Sequence, residues 1–216
     1  MINLDKLRKP LLYLIALALT AGLIVIPLFH GKVSFSWLPA LMLSVCTILL
    51  ILYHKGDSKR TIVVFSIIGV LGWIIEVVGY STGSIFGNYS FGEVLGLKLL
   101  GVPILIAIGW AMVTYMAFVA TSMLPLNNRR LTASAGLMVL FDIVLEPTAS
   151  RMGMWQFANN DVPFSNFVIW FLLGMLLLQI VRRSRASFSN PIAAPLFAML
   201  LIFMLLLNII SVAIKA

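Results

Sequence analysis

Seven long apolar runs restrict the fold of this chain more than any other feature of its sequence. A helix that crosses the hydrocarbon core of a bilayer needs about 20 predominantly apolar residues. The runs come close to this length, and only 10% of all residues are charged. They cover roughly residues 10–29, 35–54, 61–80, 100–124, 131–147, 164–181 and 191–213. We therefore predict an all-α polytopic membrane protein, in which residues 1–216 form a single bundle of about seven transmembrane helices.

The 15 Lys and Arg residues are divided unequally between the two sides of this predicted bundle. Eleven fall on the side of the N-terminus, and the other side holds only Lys32, Lys98, Arg151 and Lys215. Because short basic loops stay in the cytoplasm, the N-terminus is predicted to be cytoplasmic and the C-terminus to lie outside. The net charge of +8 then reflects topology and attraction to anionic membrane lipid, and nucleic-acid binding is not expected.

The N-terminus resembles a signal peptide, because a basic region precedes an apolar one. The apolar run from Pro10 to Phe29 is long, however, and has no clear small-residue cleavage site. We therefore expect it to be retained as the first span.

Three of the seven acidic residues lie inside or at the end of apolar runs: Glu76, Asp142 and Glu146. An ionisable group in a membrane is costly, so each one is a candidate functional residue. Span three starts inside near Thr61, which places Glu76 about 22 Å across the bilayer, in its outer half. Span five is predicted to end at Pro147, with Glu146 in its last turn and Asp142 one turn deeper on the same face. All three carboxyl groups should therefore lie at one depth.

This environment favours protonated carboxyl groups. A low dielectric disfavours the charged form, and so does the negative end of the helix dipole near each of these positions. We expect at least one of the three to be protonated at neutral pH and able to act as a general acid. Structural alternatives stay open: Glu76 could bond to a neighbouring helix, Glu146 to Arg151, and Asp142 to Asn166.

Two outer segments, residues 79–101 and 147–163, differ from simple solvated turns. Residues 79–101 contain six glycines and several aromatic residues, and residues 147–163 are bracketed by Pro147 and Pro163. The first segment is too apolar for a solvated linker, so we expect it to be a re-entrant or interfacial segment that lines a cavity. Candidates for substrate contact are the aromatic side chains Trp73, Phe86, Tyr89, Trp110, Trp155 and Trp170. For Trp73, Trp110 and Trp170, helix packing or an aromatic belt is an equal alternative. Thr82, Arg151 and Asn166 are also predicted to lie at the substrate. Thr82 and Asn166 could hold water or a carboxyl group there, and the sequence leaves open whether Arg151 is an interfacial anchor or a counter-ion.

Residues for cofactor chemistry are not found in the sequence. His30 and His54 are the only histidines, no haem or zinc ligand set can be assembled, and neither a dinucleotide fingerprint nor a P-loop is present. We therefore predict no metal and no cofactor. Carboxylic acids beside tryptophans suit acid-initiated chemistry on an alkene, in which protonation gives a tertiary carbocation that aromatic faces stabilise. Capture by water gives an alcohol, and capture by an internal alkene gives a ring.

Two groups of motifs carry a resemblance to a known family. The first is Glu76-x-x-Gly79-x-x-Thr82-Gly83-x-Ile85-Phe86-Gly87-x-Tyr89, followed by Leu95-Gly96, Gly101-Val102-Pro103 and Trp110. The second is Asp142-x-x-x-Glu146-Pro147, followed by Trp155, Val162-Pro163, Asn166-Phe167 and Trp170. Together they cover roughly residues 70–170 and resemble the carotenoid biosynthesis protein family, which includes carotenoid hydratases.

The resemblance implies an enzyme of the bacterial inner membrane that adds water to a terminal double bond of a carotenoid without a cofactor. On this basis Glu76, Asp142 and Glu146 match the acidic positions of the family. The acid would be Asp142 or Glu146, and Glu76 would orient water or accept its proton. Two alternatives are a lycopene-type cyclase, which uses the same protonation step, and a small proton-coupled transporter. A purely structural role would make the three acids dispensable. No oligomeric state is predicted.

Overall fold

The computed structural model of the protein describes residues 4–29, 35–126 and 129–214. The helices of this part of the chain are α1 (Leu4–Phe29), α2 (Leu38–Leu52), α3 (Ser58–Thr82), α4 (Leu105–Ser122), α5 (Arg130–Arg151), α6 (Phe164–Ser184) and α7 (Ala193–Ala213). Six of them have the length and hydropathy of membrane spans. The predicted all-α polytopic membrane fold is confirmed. His30, Lys32 and Lys215, which entered the sequence analysis, lie outside the described residues.

The second helix is shorter than predicted. We expected a span over 35–54, whereas α2 has 15 residues and is therefore only about 22 Å long, against about 30 Å for a hydrocarbon core. Pro39 lies in its first turn, where the missing N–H has no helical partner to lose. Among the described elements, α2 packs chiefly against α4.

The fifth helix continues one turn past the predicted end at Pro147 and ends at Arg151. The expectation that Pro147 terminates the helix was wrong. The last turn is tied to α7 by Asn208, whose amide donates to the Val144 carbonyl over 2.8 Å. The amide oxygen of Asn208 accepts from Thr148 over 2.9 Å and from Arg151 over 2.6 Å. Neighbouring helices commonly stabilise membrane helices around a proline in this way.

The central element of the bundle is α4, which packs against α3, α5, α7, α2 and α6. Its side chains at Trp110, Met116 and Ala117 are almost fully buried. In contrast, α1 packs mainly on α7 and most of its surface is exposed. The core that positions the outer half of the bundle is therefore built around α4.

Two glycines allow α3 and α4 to approach closely. A Cβ atom at Gly69 would lie 2.8 Å from the Ala107 carbonyl oxygen, and one at Gly72 would lie 2.5 Å from Cγ of Trp110. Small residues at helix interfaces are typical of membrane bundles, where packing drives association. This contact places Trp110 directly beside α3.

The two outer segments meet in short strands, which the all-α prediction did not include. Strand β1 (Tyr89–Phe91) pairs antiparallel with β4 (Trp155–Phe157), which is followed by a 3₁₀ turn at Ala158–Asn160. A hairpin of β2 (Lys98–Leu99) and β3 (Val102–Pro103) lies between β1 and α4. Gly92 contacts the Gly153 carbonyl so closely that a Cβ atom would not fit there. The two loops therefore form one cap over the outer end of the bundle.

The predicted orientation can be tested with reporter fusions in a bacterial host. A periplasmic alkaline phosphatase fused to the C-terminus should be active, and a fluorescent protein fused there should be dark, because the seven predicted crossings, with the short α2 counted among them, would place the two termini on opposite sides. The same two reporters fused within the connection between α2 and α3 should give the opposite pair of signals. An active phosphatase in the α2–α3 connection would contradict the orientation.

Candidate active site

The structure brings the three intramembrane acids together at one cavity. Glu76 lies on α3, and Asp142 and Glu146 lie on α5; all three line a cavity of about 180 Å³. Their side chains are buried, with exposed fractions of 8%, 0% and 6%. The Asp142 carboxyl interacts electrostatically with both glutamates. Among the described residues, none of the three takes part in an ion pair.

Glu76 accepts hydrogen bonds from two aromatic side chains. The Tyr89 hydroxyl donates to its Oε2 over 2.6 Å, and the Trp110 indole donates to its Oε1 over 3.1 Å. Burial, and after it the neighbouring Glu76, raises the pKa of the Tyr89 hydroxyl. This hydroxyl therefore stays a hydrogen-bond donor at neutral pH. Two donors on one carboxyl group stabilise its charged form.

Asp142 and Glu146 each accept one hydrogen bond from a side chain of another element. The Asn166 amide of α6 donates to Asp142 Oδ2 over 2.7 Å. The Trp155 indole of β4 donates to Glu146 Oε2 over 2.9 Å. The second oxygen of Asp142, Oδ1, is buried and accepts no hydrogen bond from an N–H or hydroxyl group among the described residues. The Asp142 carboxyl group instead shares a hydrogen bond with the carboxyl group of Glu146. Two carboxyl groups can be bonded in this way only if one of them carries a proton, so the pair acts as a unit.

Aromatic rings form much of the wall around the carboxyl groups. Trp110 and Trp170 are stacked, with ring centroids 4.0 Å apart and planes inclined by 26°. Tyr89 contacts Phe157, with centroids 5.3 Å apart, and packs edge-to-face on Phe86. The site thus combines acids with the π faces that attract a cation.

The cavity continues away from the acids as an apolar space between α2 and α7. Met42, Leu43 and Cys46 of α2 line one side of it. Leu200 and Phe203 of α7 line another. A site with a few polar groups at one end and an apolar remainder suits a hydrophobic ligand whose reacting end meets the acids.

Most of the predicted site residues lie at this cavity. Its wall includes Glu76, Asp142, Glu146, Phe86, Tyr89, Trp110, Trp155, Asn166 and Trp170. Three predicted substrate-contacting residues do not line it. The Thr82 hydroxyl donates to the Val78 carbonyl of its own helix, and Arg151 donates to Asn208. Trp73 on α3 is half-buried, and its indole N–H has no hydrogen-bond partner among the described residues.

Phe91 and Phe157 line the cavity and were missed by the sequence analysis. Both belong to the strand pair in which Tyr89 lies opposite Phe157 and Phe91 lies opposite Trp155. Alternation of large apolar residues at 89 and 91, and at 155 and 157, is the period-two pattern of a strand. That signal was present, although each segment is only three residues long.

No group of three His, Cys, Asp or Glu side chains within residues 4–29, 35–126 and 129–214 is arranged to hold a metal ion. The carboxyl groups of Glu76, Asp142 and Glu146 are bonded to Tyr, Trp and Asn side chains instead. Their arrangement suits the binding and transfer of protons.

Comparison with known proteins identifies the family. A sequence model described as carotenoid biosynthesis protein matches residues 36–216, which include every residue at the acidic end of the cavity. The chain belongs to the carotenoid biosynthesis protein family. Helix α1 lies before the matched residues.

One characterised relative is similar to the chain over part of its length. Bisanhydrobacterioruberin hydratase of Haloarcula japonica is 33% identical over 110 residues, a match that covers 46% of this chain and 37% of the relative. The chain therefore aligns with well under two thirds of that protein. No solved structure matches the chain.

Proposed function

We propose that this protein adds water across a terminal double bond of an acyclic carotenoid end group. The observation that carries the proposal is the buried cluster of three carboxyl groups beside the stacked Trp110–Trp170 pair, in the wall of a largely apolar cavity. The family and the hydratase relative support a carotenoid substrate. The end group would lie at the acids, and the polyene would extend along the apolar space between α2 and α7.

Asp142 is the best candidate for the acid. Asn166 holds its Oδ2, and the hydrogen bond between the Asp142 and Glu146 carboxyl groups requires a proton, which Asp142 would deliver to the substrate. Transfer of this proton to the less substituted alkene carbon forms a C–H bond from the π electrons and leaves a tertiary carbocation. Asp142 is then a carboxylate, and the neighbouring faces of Trp110 and Trp170 stabilise the cation.

Glu76 is the best candidate for the base of the second step. Water attacks the tertiary cation through an oxygen lone pair and forms the C–O bond. Its excess proton passes to a carboxylate of the cluster, and a proton returned to Asp142 completes the cycle with one water consumed. Tyr89 and Trp110 would position Glu76 for this step through their hydrogen bonds. Glu146, held by Trp155, would transfer the proton between the other two.

Two further properties belong to this proposal. The substrate would enter from membrane lipid, because it is insoluble in water and the cavity lies within the membrane-spanning helices. We place the protein in a prokaryotic cell membrane, and the bacterial inner membrane predicted from sequence remains a proposal. The curated relative comes from a haloarchaeon.

Cyclisation is the second candidate, and one observation favours it. The polar residues that could supply a wet path to the cation are Thr82, Ser84, Asn88, Asn159 and Asn166, and among them only Asn166 lines the cavity. A drier site would let an internal alkene capture the cation. A proton-coupled transporter is less well supported, since the acids share one depth and the sequence shows no convincing inverted repeat.

Co-expression in a bacterium that makes lycopene or γ-carotene tests the proposal. The extracted pigments are separated, and their molecular masses are measured by mass spectrometry. An otherwise identical strain that carries the Asp142→Asn variant is the control. A new pigment heavier by one water molecule is expected. A new isomer of unchanged mass would establish cyclisation instead. Unchanged pigments with both substrates, despite a membrane-inserted and folded protein, would overturn both reactions.

A further inference from the structure

A second cavity lies between α2, α3 and α4, apart from the acidic site. Its volume is about 460 Å³, and its wall includes Leu50 and His54 near α2, Phe65 of α3, and Ala107 and Tyr115 of α4. The acidic cavity borders α4 through other residues, such as Gly109 and Val113. The two cavities therefore lie on different sides of α4, and the carbocation chemistry does not use the second one.

The second cavity is polar at one end and apolar at the other. His54, Ser58 and Thr61 line the end next to the connection between α2 and α3. Val70 and Ala107 line the opposite end, which lies deeper along the helices. In the predicted orientation the polar end faces the cytoplasm. This arrangement suits an amphiphile from the inner leaflet. Its polar end would stay at the membrane surface, and its apolar part would lie deeper between the helices.

Several polar groups of this wall lack partners. Thr47 and Thr61 are 9% and 6% exposed, and neither hydroxyl has a hydrogen-bond partner among the described residues. The same holds for Nε2 of His54, whose Nδ1 is 2.9 Å from the Tyr115 hydroxyl. Leaving such groups unsatisfied away from water is unfavourable, so they are suited to bond the oxygens of a ligand.

Basic residues flank the polar end. Lys59 and Arg60 are exposed in the first turn of α3, directly after the lining residue Ser58. Arg60 also lies near Asp57, with 3.7 Å between its Nε and Oδ2 of the aspartate. Basic residues at the cytoplasmic surface attract anionic lipid headgroups. Charge and polarity thus point to the same end of the cavity.

We propose that this cavity binds one anionic phospholipid of the inner leaflet. One acyl chain lies between α2 and α3, the ester oxygens meet Thr61 and His54, and the phosphate lies beside Lys59 and Arg60. Helix α2 packs chiefly against α4, so the lipid fills the gap on its α3 side. Because α2 also walls the acidic cavity through Met42 and Cys46, the bound lipid supports the wall of the reaction site.

Native mass spectrometry of the purified full-length protein tests this site. Phosphatidylglycerol and phosphatidylcholine with identical acyl chains are added in turn, and the retained lipid is counted. The wild type should keep one phosphatidylglycerol in preference to phosphatidylcholine. Ser66→Phe places a ring in the cavity wall and should abolish retention. Val63→Phe adds the same ring to an exposed position of α3 outside the wall and should leave retention unchanged.

Milder variants keep the test decisive if Ser66→Phe does not fold. Thr61→Val removes one hydroxyl and should weaken phosphatidylglycerol retention about fivefold. Replacing Lys59 and Arg60 by glutamine should weaken phosphatidylglycerol retention by about fivefold for each charge removed, and it should leave phosphatidylcholine retention unchanged. Equal retention of both lipids by the wild type would overturn the proposal. So would retention by Ser66→Phe equal to that of Val63→Phe, or retention by Thr61→Val equal to that of the wild type.

Discussion

Asp142→Asn is expected to reduce carotenoid conversion by about 10²- to 10⁴-fold, the range that a positioned general acid contributes. The amide has nearly the same shape as the carboxyl group, and it can still accept the hydrogen bond that Asn166 donates to Oδ2. It cannot, however, supply an acidic proton to the substrate. Conversion is measured from the pigment ratio in the co-expression strain, normalised to the amount of protein in the membrane.

The other two acids define how the result is interpreted. Glu76→Gln and Glu146→Gln should also lower conversion strongly, because both carboxyl groups take part in the same buried cluster. Asp161→Asn is the matched control, since this carboxyl is exposed and lies outside the cavity wall. Wild-type conversion by all three cluster variants would rule out the proposed mechanism. Loss of conversion in Asp161→Asn would show that the amide substitutions act through folding.

Gly72→Ala is expected to destabilise the protein by about 1–3 kcal/mol, the usual cost of overpacking a buried contact. The new Cβ atom would lie 2.5 Å from Cγ of Trp110, so either α3 and α4 separate or the indole moves. Trp110 donates to Glu76 and stacks on Trp170. Conversion should therefore fall together with the unfolding temperature measured by tryptophan fluorescence in detergent.

Gly136→Ala provides the matched control for this substitution. Gly136 is exposed on α5, and a Cβ atom there meets nothing within 4 Å. Its replacement should leave conversion unchanged and raise helix stability slightly, because alanine favours a helix more than glycine does. A Gly72→Ala protein with the wild-type unfolding temperature and full conversion would contradict the close α3–α4 packing.

The membrane bundle could be predicted because its signal is local. A run of about 20 apolar residues has to satisfy its backbone hydrogen bonds within one helix, and this requirement needs no knowledge of the neighbouring elements. The helix boundaries depended on other parts of the chain. At α5, hydrogen bonds from Asn208 of α7 stabilise the helix around Pro147. At the outer cap, β1 pairs with β4, which lies more than sixty residues away in the sequence. Such contacts leave almost no trace in the local sequence.

At the candidate site, too, some features follow from the local sequence and others depend on the packing of distant elements. The burial of Glu76, Asp142 and Glu146 follows from their position in apolar helices, and the sequence alone determined that these acids would meet at one depth. The pairing of Asp142 with Asn166, open as an alternative in the sequence, is present in the structure. Only the tertiary structure decided that Arg151 bonds to Asn208 and does not meet Glu146, which instead accepts from Trp155. Depth along a helix follows from counting residues, whereas side-chain partners depend on how each helix is rotated and packed against the others.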